Sequence, residues 1–131
     1  MILLMSSDGG SSAILLIDDE RTFADTLAKR LLLRGYECAV AYDGRSGIAL
    51  VKKVPFVGLV LDLRLPDLSG TEVLRRIRAL DPNLPVVILT AHGTAQDEQD
   101  CMRLGAVAFL HKPVNLTQLV SYFAQEGLVT Q

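Results

Sequence analysis

Short apolar runs alternate with amphipathic stretches five times along the chain. Ala13–Ile17, Tyr36–Ala41, Val57–Leu61, Val86–Leu89 and Val107–Leu110 read as strands. After the first of them, Phe23, Leu27 and Leu31 recur at helical spacing, and Gly35 following Arg34 ends that helix. Arg45–Lys53 is a weaker helix opened by Asp43-Gly44. Ser69-Gly-Thr-Glu72 spells a capping box, with Val73, Ile77 and Leu80 on one face of the helix behind it and Asp81-Pro82 closing it. Thr94–Leu104 carries only a thin apolar stripe. Asn115 caps a last helix with Leu116, Leu119, Val120 and Phe123 inward.

Five such units predict an α/β domain, a doubly wound five-stranded parallel sheet with helices on both faces and right-handed crossovers. For five strands the expected order is the flavodoxin-like 2-1-3-4-5. The domain spans residues 13–126. Residues 1–12 read as a flexible lead-in, because Ser6–Ser12 is only Ser, Gly and Asp, with Met5 an alternative start. Residues 127–131 read as a C-terminal tail.

Composition narrows the class without naming a chemistry. Half of the 131 residues are apolar, enough for a core that needs no disulfide staples. A formal charge of −2 announces neither a nucleic-acid surface nor a membrane one. No apolar run approaches the roughly 18 residues of a membrane span. Met1–Met5 is too short for a signal-peptide core and lacks a basic flank, so cytoplasm is the expected compartment. Cys38 and Cys101 read as reduced core thiols, and two Cys with two His show no metal-ligand spacing. The run Arg75-Arg76-Ile77-Arg78 reads as a solvated face.

The candidate chemistry lies at the strand ends. In a parallel sheet of this kind every strand points the same way, and ligands gather beyond the C-terminal edge. There the first strand runs into Asp18-Asp19-Glu20, the third into Asp62, the fourth into Thr90 and the fifth into His111-Lys112-Pro113. Each feature alone has an ordinary explanation. Acids after a strand favour the macrodipole of the next helix, lysines are usually solvated, and threonine is a β-former. Together, Asp18, Asp19 and Asp62 cannot all ionise side by side without a cation. An all-oxygen donor set suits Mg²⁺, Lys112 adds a flexible positive charge for an anion, and Thr90 adds a hydroxyl. Metal, ammonium and hydroxyl describe a phosphoryl site, with Asp62 the natural nucleophile.

Four stretches, "ILLIDDE" (14–20), "LVLDLRLPDLSG" (59–70), "VVILTAHG" (86–93) and "GAVAFLHKP" (105–113), follow one another in the order and at the spacing of a response-regulator receiver domain, which the chain resembles over residues 13–126. That resemblance implies a phosphoacceptor of two-component signalling, a switch rather than a turnover enzyme. Asp62 would accept a phosphoryl group from a sensor histidine kinase or a phosphotransfer domain. Asp19, Asp62 and the backbone carbonyl of Arg64 would ligate Mg²⁺ (or Mn²⁺), with Asp18 acting mainly through bound water. Thr90 would turn toward the phosphoryl oxygen, Ala91 beside it would leave room, Lys112 would pair with the phosphoryl group, and Phe109 would be the aromatic rotamer switch. Lys112-Pro113 would be a cis peptide. Helix 4, strand 5 and helix 5 would form the output face, meeting a second copy or an effector domain outside this chain. No direct contact with nucleic acid or membrane is implied. Arg64 and His92, each two residues past a site residue, would flank the phosphoryl group, and Phe109 stands where tyrosine is common.

Three other readings are weaker. A haloacid-dehalogenase-type phosphatase resembles an Asp-x-Asp pair at the strand end, which Asp62-Leu63-Arg64 lacks. A flavodoxin-like mononucleotide binder needs a Ser/Thr/Gly-rich phosphate loop after the first strand, where this chain has acids. A pseudo-receiver would have lost part of the set Asp18, Asp19, Asp62, Thr90 and Lys112.

Overall fold

A computed structural model of the chain describes residues 13–125. The lead-in and tail expected at the two ends lie outside the described residues. Strands and helices alternate throughout: β1 (Ile14–Ile17), α1 (Arg21–Leu33), β2 (Cys38–Ala41), α2 (Gly44–Lys53), β3 (Gly58–Leu61), α3 (Gly70–Leu80), β4 (Val86–Thr90), α4 (Ala95–Arg103), β5 (Ala108–His111) and α5 (Leu116–Gln125). All strand pairs are parallel and the order is β2-β1-β3-β4-β5, as the alternation predicts. Among the described residues no helix is long and apolar enough to cross a membrane.

The central strands are apolar at every position because both faces of the sheet are covered. Side chains alternate along β1, so Leu15 and Ile17 join one core with Val73, Leu74 and Ile77 of α3, while Ile14 and Leu16 join the other with Leu27 and Leu31 of α1 and Phe123 of α5. Both cysteines are free thiols, Cys101 buried and Cys38 half-buried, where burial pushes the Cys38 thiol up to about 12.

Three local expectations are corrected. Leu80 does not face inward but is 45% exposed, because the face that α3 buries is made of Gly70, Val73, Leu74 and Ile77. The motif at Ser69 is half a capping box. Ser69 Oγ accepts from the Glu72 amide at 3.1 Å, but the Glu72 carboxylate takes Arg75 and Arg76, one turn ahead, as partners. The complete box sits on α4, where Thr94 Oγ1 accepts from Asp97 N and Asp97 Oδ2 from Thr94 N, both at 3.0 Å. Finally, Arg78 is no solvated residue. Its half-buried guanidinium donates to the carbonyls of Leu84 (2.6 Å), Gly105 (2.7 Å) and Leu104 (3.1 Å), tying α3 to the C-terminal end of α4.

The loop after β3 is held from two sides. Asp67 accepts from the amides of Gly44 and Arg45 at 2.8 and 2.9 Å, closing the start of α2. Gly70 packs so close that a Cβ there would lie 2.5 Å from Leu63 Cα and 2.6 Å from the Asp62 carbonyl oxygen. The backbone immediately after Asp62 is therefore fixed by α3.

Candidate functional site

Parallel strands carry Asp18, Asp62, Thr90 and Lys112 to one edge of the sheet. The ladder extends beyond the strands proper: Asp18 N donates to Ala41 O (3.0 Å), Asp62 N to Ile17 O (2.9 Å) and Lys112 N to Thr90 O (3.0 Å). Each side chain is thereby placed by sheet backbone rather than by a loose loop. Asp18 and Asp62 are each only 5% exposed and Thr90 is fully buried, an unusual set of polar groups to take out of water.

Partners explain how these groups are accommodated. Asp18 Oδ1 accepts from the Glu20 amide at 2.9 Å and Asp62 Oδ1 from the Leu63 amide at 2.7 Å. Lys112 Nζ lies 2.8 Å from Asp18 Oδ2, 2.5 Å from Glu20 Oε1 and 3.4 Å from Asp62 Oδ2. It also sits 4.2 Å from the centre of the Phe23 ring, a cation–π contact on its apolar side. Burial works against the Lys112 charge, but hydrogen bonds to Asp18 and Glu20 outweigh it and hold the ammonium above the ordinary lysine range. Burial pushes the Asp18 carboxyl up, against the pull of Lys112 and the Glu20 amide. The hydrogen bond from Lys112 draws Glu20 down.

Carboxylate oxygens of Asp18, Glu20 and Asp62 all lie within 4.8 Å of one another and outnumber the single ammonium among them. Such a cluster of hard oxygen donors fits a divalent cation.

The structure gathers most, not all, of the predicted residues. Asp19 is exposed and stands outside the three-carboxylate cluster; Glu20 is inside it. Arg64 is exposed and its backbone pairs with Ser69 in an isolated antiparallel bridge. Ala91 and His92 are exposed on the loop after β4, and the His92 amide donates to Thr90 Oγ1 at 3.3 Å. Phe109 is half-buried and meets His111 edge-on, with ring centroids 5.6 Å apart. A Cβ on Gly93 would lie 2.4 Å from Phe109 Cζ and 3.0 Å from Thr90 Cγ2, so the aromatic ring and the threonine methyl press on the same piece of backbone. The Lys112-Pro113 peptide is cis. Sequence reasoning passed over two residues, Glu20 as an individual partner of Lys112 and Phe23 as its aromatic support. Glu20 stood in plain view in the acidic run, but its partner is 92 positions away.

Comparison with known proteins points the same way. The family profile for the response regulator receiver domain matches residues 14–124. The transcriptional regulatory protein TrcR of Mycobacterium tuberculosis is 37% identical over 115 residues, which cover 88% of this chain and 45% of that protein. A CheY-like receiver domain protein from Methanospirillum hungatei superposes with a TM-score of 0.82 at 29% identity, over 88% of this chain and 92% of that one. A response regulator from Burkholderia pseudomallei, crystallised with a phosphorylated aspartic acid, a calcium ion and citrate, superposes with a TM-score of 0.80 at 28% identity, over 85% of this chain and 65% of that one. The chain spans about half the length of the curated relatives it matches.

Proposed function

The chain belongs to the response regulator receiver domain family, a signalling domain of two-component systems, and from that premise we propose that Asp62 is its phosphoacceptor. The observation that carries this reading is the buried Asp62 carboxylate facing the Lys112 ammonium at 3.4 Å, beside Asp18 and at the edge where β4 delivers Thr90. Asp62 Oδ1 is engaged by the Leu63 amide. Its other oxygen, Oδ2, attacks phosphorus in this proposal. A phosphorus–oxygen bond forms as the bond from phosphorus to the donor's histidine nitrogen breaks, and that nitrogen leaves with the electron pair. Lys112 meets the negative charge gathered on the phosphoryl oxygens.

Asp18, Asp19, Asp62 and the Arg64 carbonyl would hold Mg²⁺ (or Mn²⁺), which when bound neutralises charge on the transferring group. Thr90 is the hydroxyl that answers the new charge, and Phe109 shares the Gly93 contact that would transmit its movement. Ala91, exposed and small, leaves the approach open. The domain so read is a stoichiometric switch in the cytoplasm. It is loaded by a sensor histidine kinase or phosphotransfer domain and read out through the face of α4, β5 and α5 by a second copy or by an effector domain.

Intact mass after incubation with acetyl phosphate tests the reading. One added phosphoryl group is expected on the wild-type chain, requiring Mg²⁺ and absent from Asp62→Ala. A folded protein that gains no mass and binds no beryllofluoride overturns it.

A further inference from the structure

Lys112 has three N–H donors, and its two shortest contacts are to Asp18 and Glu20 rather than to Asp62. A phosphoryl group on Asp62 would carry roughly −1.5 to −2 of charge in place of the single carboxylate charge, at the most distant of the three corners. The ammonium, which already faces three carboxylates, is then drawn toward that corner at the expense of one of its two nearer contacts. Asp18 is the costly one to abandon, since its side chain is 8% exposed and would be left buried with only the Glu20 amide. The Glu20 side chain is 61% exposed and is readily taken up by water. Nor does that carboxylate have a competing duty at the start of α1. Glu20 is the N-cap residue, yet its side chain makes no capping hydrogen bond.

We propose that Glu20 is a latch on Lys112: a positioning residue that draws the ammonium toward itself and Asp18, leaving Asp62 as its longest contact in the resting protein, and is displaced by the incoming phosphoryl group. The latch rests on Asp62 being the phosphoacceptor. Glu20 acts only through Lys112 and competes with the phosphoryl group for it. Removing its charge therefore strengthens the loaded state, whereas removing a metal ligand or a structural contact would weaken it.

The test is the affinity of the full chain for beryllofluoride in Mg²⁺, measured by calorimetry for wild type and Glu20→Gln at low and high salt. The variant is expected to bind about threefold more tightly at low ionic strength, the scale of an ion pair with one exposed partner. The advantage should shrink at about 1 M salt, where the screening length falls to about 3 Å, close to the length of the Lys112–Glu20 contact. Weaker binding by the variant makes Glu20 a cation ligand and overturns the latch. Equal binding at low salt makes it a bystander and overturns it too. If wild type neither binds beryllofluoride nor gains mass with acetyl phosphate, the phosphoacceptor reading fails and the latch falls with it. A wild type that does both, beside an unchanged variant, removes the latch alone.

Discussion

Helices α3 and α4 lie on the same face of the sheet but are attached to it differently. α3 buries Val73, Leu74 and Ile77 and brings Gly70 against the backbone of Asp62 and Leu63, with the Gly70 amide donating to Leu63 O at 2.8 Å. α4 buries Cys101 alone. Beyond it, Leu104 at the C-cap packs half-buried against the same core, Thr94 and Asp97 form the helix's own capping box, and the Arg78 guanidinium reaches over from α3 to its C-terminal end. Each large apolar side chain moved out of water stabilises by about 1.5–3 kcal/mol, so α3 is anchored several times more strongly than α4. The difference matches their places in the site. α3 fixes the residue read as the phosphoacceptor and gains nothing by moving. α4 follows Thr90 and Gly93, and a helix that buries one small side chain can change position without dismantling the core.

Truncating the two anchors tests that contrast most severely. Ile77→Ala should cost about 2–5 kcal/mol in chemical denaturation, because a fully buried branched side chain leaves both lost burial and a cavity. Cys101→Ala should cost only about 1 kcal/mol, for one buried sulfur. Equal losses would mean that α4 is held as firmly as α3, and the argument that it shifts cheaply would go.

Arg78 sharpens the comparison, since it is where the strong helix supports the weak one. Arg78→Met keeps much of the apolar stem but strips four carbonyls, those of Asp81, Leu84, Leu104 and Gly105, of their charged donor. A loss of about 1–2 kcal/mol is expected. Amide hydrogen exchange should locate it, with amides of α4 and the Gly105 turn opening in the variant while those of α3 stay protected. Uniform loss of protection across both helices would show that Arg78 braces the whole domain instead.

The fold was legible because its signals are local or periodic. Continuous apolar strands, the glycine after α1 and the acids, hydroxyl and lysine closing four strands can all be read from neighbours. Parallel order then brings Asp18, Asp62, Thr90 and Lys112 together with no further information. What escaped was decided by partners remote in the chain. Nothing near Arg78 marks it as the residue that meets Gly105, 27 positions on, when Arg75 and Arg76 beside it are exposed. Asp19 and Glu20 are adjacent carboxylates that the sequence does not tell apart. Only the position of Lys112, delivered by β5, separates the one drawn into the cluster from the one left outside.

The smallest effect tests the same lesson at Glu72. As written, Ser69-Gly-Thr-Glu72 promises two reciprocal cap bonds, and losing either partner should then hurt alike. In the structure Ser69 keeps its bond to the Glu72 amide, which any side chain at 72 leaves in place, while the Glu72 carboxylate serves two exposed arginines. Ser69→Ala should therefore cost about 1 kcal/mol, an ordinary N-cap loss. Glu72→Ala should leave the denaturation midpoint unmoved at physiological salt, where exposed pairs are largely screened. If the two variants lose stability equally, Glu72 does cap α3 in solution. The start of α3, and with it the grip of Gly70 on the Asp62 backbone, would then rest on the full box that only α4 displays.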